Sequence, residues 1–303
     1  MAGVDVVVVT YKSGRTVEVA TSPFAGKDFV RVFVVDNASG DGTVDVLQSL
    51  PVEAIALEHN GGFAHGCNVG AQAGTNPYVL FLNPDARIEA EAVQRLVDAM
   101  EADARVGAAA PRIFEPDGSL DYSLRRFPRL RSTYAQALFV HRLLPNADWV
   151  DEVIREPSVY ERPGPVEWVS GACFIVRRTV LEQVGGLDES FFHYSEDMDI
   201  CARIWNAGHE VRYVPDAVAE HEGGASAPRA NLLPILAASR IRYAKKHDSP
   251  LVALLGRAGV ALGSATHAVV SKGGRPARWG HLRALRVALS PLPPDPSHLM
   301  RRG

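Results

Sequence analysis

The chain lacks several features that would place it in common classes. It has three cysteines in 303 residues, Cys67, Cys173 and Cys201, widely spaced, odd in number and without a C-x-x-C pair. That spacing excludes a disulfide framework and a zinc-type ligand set, and predicts three small buried hydrophobes in a reduced protein. No G-x-G-x-x-G follows the first apolar run, where "TYKSGRT" has one glycine. A nicotinamide-binding reading therefore loses its main feature. Met1-Ala2-Gly3 leads directly into "VDVVVVTY" with no basic segment or cleavage site. No export signal is expected, and the location reads as cytoplasmic. No apolar run reads as a membrane span, because the best candidate, Leu251 to Val270, is interrupted by Arg257, His267 and several Gly and Ser residues.

What is present is ordinary globular material, 47% hydrophobic and 22% charged, enough for one large α/β domain with an appendage or for two small domains. The net charge of −3 hides an asymmetry. Residues from Arg229 to Gly303 carry 13 Lys and Arg against 2 Asp and Glu, a net of +11; of the totals 32 and 35, this leaves 19 against 33 before residue 229, a net of −14. A basic tail on an acidic body points to a polyanionic partner. An anionic membrane surface is preferred over nucleic acid, with a solvated helical face as the plain alternative. The expected division is a domain over residues 1–228 and a basic, mainly helical extension over 229–303. The terminal "PLPPDPSHLMRRG" reads as disordered.

Hydrophobic patterning predicts alternating strands and helices over the first half. Strands are expected at Val4 to Val9, Val30 to Val35, Val52 to Leu57 and Tyr78 to Leu82. Helices are expected from Thr16, over Gly42 to Leu50, Phe63 to Gly74 and Glu89 to Glu101. Such an order favours an α/β fold with a mostly parallel sheet, whose ligands bind beyond the carboxyl ends of the strands. Further on, Asp121 to Pro165 reads as long loops with at most one helix. Glu167 to Val176 reads as a strand with a glycine break. A helix runs to Gly208, short strands follow at Val211 to Val214 and Val218 to His221, and Leu232 to Ala253 has helical spacing.

Polar residues gather at the predicted strand ends. "YVLFLNPDARI" stops an apolar strand at Asn83-Pro84-Asp85, which is good turn chemistry and equally a way to aim a carboxylate. Asp36, before "NASGDGT", either caps a turn or accepts hydrogen bonds from a ribose or a base. "HNGGFAHGCNVGAQAG" combines Asn60 and Asn68 with glycines that permit close approach of a ligand or of another element. "FFHYSEDMDICARIWNAG" places Glu196, Asp197 and Asp199 at a helix start behind Ser195, a plausible cap. Three acids behind an aromatic run also suit a tuned base. His221 sits between Glu220 and Glu222 in "VAEHEGGAS".

These stretches, with "VVVVTYKS", "VSGACFIVRR" and "GGLDESFFHYSEDMDICARIWNAGHEVRYVP", stand in the order seen in family 2 glycosyltransferases. Over about Val4 to Ser226 the chain resembles the bacterial rhamnosyltransferase branch of that family. The resemblance implies a GT-A fold with a nucleotide-binding sheet, a nucleotide-diphosphate-sugar donor and an inverting transfer that needs Mg²⁺ or Mn²⁺. It implies that Thr10, Tyr11, Asp36, Asn60, Asn68, Asn83 and Asp85 line the donor. Asp85 corresponds to the last acid of the family's D-x-D element, whose first acid is Asn83 here, so metal binding falls more heavily on Asp85, with His221 beside it. Asp197 matches the base of the Glu196-Asp197 pair. Gly171, Arg125 and Arg126 are expected on the acceptor side. The acceptor would be a glycan or a polyprenyl-diphosphate-linked sugar, with L-rhamnose from dTDP-rhamnose as the donor group. No nucleic-acid partner is expected, and the basic helices leave either membrane attachment or a homodimer contact. The competing reading is a non-catalytic sugar-nucleotide- or glycan-binding module, which would not need Asp197.

Overall fold

A computed structural model describes residues 2–144, 147–223, 229–270 and 274–291. The expected disorder of residues 292–303, the Gly224 to Ser226 end of "HEGGAS" and the basic Lys272 lie outside the described residues. The chain folds as two compact units. The first comprises Met1–Arg125, Arg155–Glu189 and Glu196–Ser226; the second comprises Arg126–Ile154, Ser190–Ser195 and Ala227–Gly303. The linear boundary at residue 228 thus lies within two residues of the last crossing, but two earlier segments also join the second unit.

The first unit is built on a nine-stranded sheet. Its strands, with one short outlying pair, are β1 (Val4–Thr10), β2 (Val30–Asp36), β3 (Glu53–Ala56), β4 (Tyr78–Leu82), β5 (Ala86–Ile88), β6 (Val106–Phe114), β7 (Leu124–Arg125), β8 (Gly164–Pro165), β9 (Trp168–Val169), β10 (Cys173–Arg177) and β11 (Glu210–His221). The order is β3-β2-β1-β4-β10-β6-β11-β5, with β8 on β11, while β7 and β9 form a separate pair. β3, β2, β1 and β4 run parallel, as does β6 with β11, whereas β10 and β5 are antiparallel to their neighbours.

β1, β2 and β4 are mainly apolar runs buried on both faces, apart from Val30 and Arg31 at the start of β2, the pattern of central parallel strands. The helix Phe63–Ala73 lies close on the sheet. A Cβ on Gly66 would stand 2.6 Å from Val9 Cγ1, and one on Gly70 2.4 Å from Val7 Cγ1. These glycines serve close helix–sheet packing. The three cysteines are free and buried, as expected.

The short strands β5, β7 and β8 fall outside the expectation, and the two longest strands also differ from it. Residues 211–214 and 218–221 belong to one strand, β11, whose register shifts between Val214 and Val218 around Pro215, so the proline marks an irregularity rather than an end. β6, "VGAAAPRIF", gives no period because its alanines are buried on both faces, yet it lies between β10 and β11.

The second unit holds the helices Leu130–Ala137, Val140–Leu143, Arg229–His247, Pro250–Val270 and Gly274–Leu289. Ala237, Ala238, Ala284 and Val287 form its small-residue core, flanked by Leu233 and Val260. Here the structure corrects the reading of Leu251 to Val270 as too interrupted to span. Pro250–Val270 is one continuous 21-residue helix, with mean hydropathy 1.3 over its best window, long and apolar enough by length and composition alone to cross a membrane. Its Gly and Ser residues serve helix contacts, Gly259 against Thr133 among them, and do not break it. Arg257 turns onto the Ala288 and Ser290 carbonyls.

One buried ion pair anchors the far end of β1. Asp5 is fully buried and meets Arg178 at 2.7 Å. Asp5 also accepts from the backbone and side-chain N–H groups of Asn76, and Arg178 donates to the Ala71 and Asn76 carbonyls. Removing one partner strands a buried charge. Arg178→Met is expected to lower unfolding free energy by about 3–5 kcal/mol, read from urea denaturation; a loss below about 1 kcal/mol would show that the pair does not anchor β1.

Candidate active site

The carboxyl ends of the parallel strands bring several expected residues together. Thr10 and Asp36 are register partners, and the Thr10 hydroxyl donates to Asp36 Oδ1 at 3.0 Å. Asp36 is 1% exposed and also accepts from the Ser39 backbone N–H and hydroxyl. Its carboxylate is thus engaged in fixing the turn after β2. Tyr11 stands exposed beside this turn, with the Lys12 ammonium 5.3 Å from its ring centroid.

Asn60 accepts from the Gly62 N–H at 2.9 Å, an Asx-type turn that opens the following helix. Asn68 uses both halves of its amide on one loop. It donates to the Leu187 carbonyl and the Glu189 carboxylate, and accepts from the Leu187 N–H. Asn37, absent from the expected set, donates to the Gly62 carbonyl and accepts from the Gly61 N–H. It holds the glycine loop against the end of β2. The only signal for it was its place immediately after the strand.

The second group surrounds Asn83-Pro84-Asp85. β5 follows this turn and pairs with the end of β11, with Ala86 opposite His221. Asp85 Oδ1 lies 3.3 Å from His221 Nε2, and Asn83 Nδ2 lies 3.5 Å from the same nitrogen. Residues 138 apart in Asn83 and His221 are therefore neighbours because β5 turns back along β11. Asp121, missed by sequence reasoning, faces the other ring nitrogen at 3.8 Å. The turn Glu115-Pro116-Asp117-Gly118 folds the chain back, and the Asp121 N–H donates to the Ile113 carbonyl at 3.0 Å, which brings Asp121 here. Burial opposes a charge on His221, but Asp121 and Asp85 outweigh it and push its pKa up to about 9.

Among the described residues, no group of three His, Cys, Asp or Glu is arranged to hold a metal alone. One carboxylate and one imidazole do converge at Asp85 and His221, the imidazole becoming a donor once a cation displaces the proton that the two carboxylates favour. Two protein donors suit a hard divalent cation that takes its remaining ligands from water and substrate phosphates. The residues present fit such an ion in that limited sense.

The third group centres on the helix Glu196–Asn206. Its acids divide by environment. Asp199 is fully buried and paired with Arg203 at 2.8 Å, and Arg203 also donates to the Val184 and Gly186 carbonyls. Asp199 is thus structural. Glu196 is 5% exposed. Asp197 is half-buried; its Oδ2 accepts from the Gly171 N–H at 2.9 Å and its Oδ1 from the Met198 N–H at 2.8 Å. Burial raises its pKa above the usual aspartate value, against the lowering effect of those two N–H groups and of the Arg125 charge.

Gly171 therefore holds Asp197 through its backbone. Next to it, the Ala172 carbonyl accepts from the Asn83 N–H at 2.9 Å, so the Asp197 seat and the Asn83–Asp85 turn share one loop. Arg125, on β7, lies opposite Trp168 of β9, its guanidinium 5.6 Å from the indole centroid. Arg126 belongs to the second unit, where it pairs with Asp148 at 3.2 Å.

The family model for glycosyl transferase family 2 matches residues 5–185. The chain belongs to glycosyl transferase family 2. Among curated relatives of this family 2 enzyme, N-acetylglucosaminyl-diphospho-decaprenol L-rhamnosyltransferase of Mycobacterium tuberculosis is 34% identical over 239 residues, 74% of this chain and 77% of that protein. Rhamnosyltransferase WbbL of Escherichia coli K12 is 28% identical over 169 residues, 53% of this chain and 60% of its relative. The fold is GT-A. A mannosyltransferase, PcManGT, from Pyrobaculum calidifontis, solved with GDP-Man and Mn²⁺, superposes with TM-score 0.57 at 19% identity, covering 99% of this chain and 83% of that one. GalNAc-T7, solved with UDP, GalNAc and Mn²⁺, gives TM-score 0.59 at 15% identity, over 81% of this chain and 48% of that one. The family 2 chain is a glycosyltransferase of the rhamnosyltransferase-like branch.

The tight approach of Gly171 to Asp197 generates a test. A Cβ on Gly171 would stand 3.3 Å from Asp197 Cβ and 3.4 Å from Oδ2. Gly171→Val should push the carboxylate aside and reduce turnover by about 10²-fold, the scale of a 1 Å misplacement, with an unchanged circular dichroism spectrum. Full turnover in this variant would mean that the Asp197 position is not critical.

Proposed function

We propose that the chain is an inverting, metal-dependent glycosyltransferase that moves L-rhamnose from dTDP-rhamnose to a hydroxyl of a lipid-linked or polysaccharide acceptor in cell-envelope glycan synthesis. It works at the cytoplasmic face of the membrane, which the basic helices of the second unit attach to peripherally. The observation that carries the reaction type is the half-buried Asp197. Backbone N–H groups fix both its oxygens, its pKa is raised, and one loop joins it to the Asp85–His221 pair.

A base must hold a geometry and be basic enough to take a proton. Two N–H bonds orient the Asp197 carboxylate, and burial raises its proton affinity. Asp197 takes the proton of the acceptor hydroxyl as that oxygen attacks the anomeric carbon from the face opposite the diphosphate. One displacement inverts the centre. Asp85 and His221 would hold the divalent cation, Mg²⁺ or Mn²⁺, which would supply positive charge against the negative charge growing on the departing diphosphate. Asp121 keeps the His221 ring turned with Nε2 toward Asp85, the part that second carboxylates play at imidazole ligands. Thr10, Asp36 and Asn37 shape the nucleoside end by fixing the turn after β2, with Tyr11 as the exposed ring available to the base. Asn60 and Asn68 act through the loops that they hold. Gly171 and Arg125 border the acceptor side of Asp197. The donor and acceptor preferences draw on the mycobacterial and E. coli relatives.

The alternative, a sugar-nucleotide-binding module without catalysis, gives no reason for a buried, oriented Asp197. Donor-dependent release of free nucleotide diphosphate in the presence of acceptor separates the two. Asp197→Asn is expected to lower turnover about 10²- to 10⁴-fold with nucleotide affinity kept. Because the folded carboxyl has a raised pKa, the base is lost as pH falls through that value. The acid limb of kcat/KM should therefore lie above the ordinary aspartate pKa of 3.8. Wild-type turnover in Asp197→Asn would end the assignment.

The metal reading has its own readout, titration calorimetry of nucleotide diphosphate with and without Mn²⁺. Asp85→Ala should abolish the gain in affinity that Mn²⁺ confers. Asp121→Asn should weaken it about 10- to 100-fold, the usual effect of removing a partner of an imidazole ligand. Equal Mn²⁺ dependence in Asp85→Ala and wild type would remove Asp85 from the metal site.

A further inference from the structure

The helix Gly274–Leu289 is two-faced in an unusual way. Gly280, Ala284, Val287 and Ala288 are buried, and a Cβ on Gly280 would stand 2.6 Å from the Ala230 carbonyl oxygen. This is the face that packs inside the second unit. The opposite stripe holds Arg275, Arg278, Trp279, Leu282, Arg286 and Leu289, all exposed. The spacing of three and four residues puts them on one side. Trp279 is 65% exposed and Leu289 67%. An outward stripe of arginines interleaved with a tryptophan and leucines is costly in water. It is also the composition of helices that lie in a membrane interface.

Three further observations select the same partner. No Asp or Glu occurs between Ser249 and Ser290, so nothing acidic in that stretch offsets the arginines. Leu251 and Leu254, 66% and 63% exposed, stand one turn apart at the start of Pro250–Val270. Arg257 of that same helix reaches the Ala288 carbonyl, which puts this apolar end beside the carboxyl end of Gly274–Leu289. The arginines also sort themselves: Arg257 caps that end and Arg283 reaches toward Asn231 at 3.4 Å, which leaves Arg275, Arg278 and Arg286 facing outward.

We infer that the outward face of Gly274–Leu289 docks on an anionic phospholipid bilayer, with the helix lying in the headgroup plane, its three outward arginines on lipid phosphates, and Trp279, Leu282 and Leu289 dipping below them. This deepens the membrane attachment proposed above. It rests on the lipid-linked acceptor only for its biological sense, because docking needs neither donor nor acceptor. It replaces a diffuse basic tail by one face, and assigns the attachment to this helix rather than to the more apolar Pro250–Val270.

The test is sedimentation of the full chain with phosphatidylcholine vesicles, with and without phosphatidylglycerol, in the absence of any sugar donor. Wild type should bind the anionic vesicles at low salt and be released at high salt, where charges are screened. The combined Arg275→Gln, Arg278→Gln and Arg286→Gln variant should bind about 100-fold more weakly, about five-fold for each arginine removed from the surface. Trp279→Ser should weaken binding on the same vesicles while the thermal melt is unchanged, since the ring is exposed. Three results would overturn the inference: no binding at low salt, an arginine variant that binds like wild type, or equal salt-insensitive binding to neutral vesicles. The last would indicate insertion of Pro250–Val270 instead. Because no donor or acceptor is present, failure here leaves the glycosyl-transfer reading standing, and loss of transfer in Asp197→Asn leaves this one standing.

Discussion

The antiparallel insertion of β10 beside β4 is the constraint on which the site depends. Leu82 and Cys173 are register partners, so the two strands end and begin at the same level. The Asn83 N–H then meets the Ala172 carbonyl directly beyond the pair. Gly171, one residue earlier, has its N–H free for Asp197. A slip of one residue in this pairing would turn every side chain of β10 to the opposite face and remove the seat of Asp197. Both strands are buried on both faces except at the half-buried Arg177, so a slip would have to repack both faces at once.

Acids that look equivalent along the chain are separated by what each meets. Asp5 and Asp199 are wholly buried and face guanidinium groups, so their charge is neutralised in place. Asp36 is buried without a guanidinium and is satisfied by two hydroxyls and an N–H. Asp197 has N–H donors but remains half-buried, and burial wins over those donors in setting its proton affinity. Asp197 combines a fixed orientation with a raised pKa, the combination that base catalysis needs.

Much of the fold was legible because β1, β2 and β4 are mainly apolar runs, broken inside only by Asp5 and Arg31, and Glu89 to Glu101 has clean helical spacing. Both patterns report burial directly. β6 was not legible because alanine buried on both faces of a strand has no period. The convergence at Asp85 depends on β5, three residues long, which leaves no local trace, and on the Pro116-Asp117-Gly118 turn, whose sequence signals a reversal but not what Asp121 meets after it. Asn68 shows a different limit. Its residue type suggested contact with a donor, but the structure spends both halves of its amide on the Leu187 loop, a partner 119 residues away. Amide side chains serve ligands and loops with the same atoms, so type and spacing cannot separate the two.

The second unit gathers Arg126–Ile154, Ser190–Ser195 and the chain after Ala227. This has a consequence for the order of events during synthesis. The first of these segments leaves the ribosome about 100 residues before its helical partners do, at a translation rate that makes the delay several seconds or more. During that interval the Thr133 and Tyr134 surface that will receive Gly259 has nothing to pack against. The nascent chain therefore carries an unfinished helical unit and a sheet that still waits for β11, and each is completed late, from the same last third of the chain. Chaperone demand for this enzyme should accordingly concentrate at the end of translation.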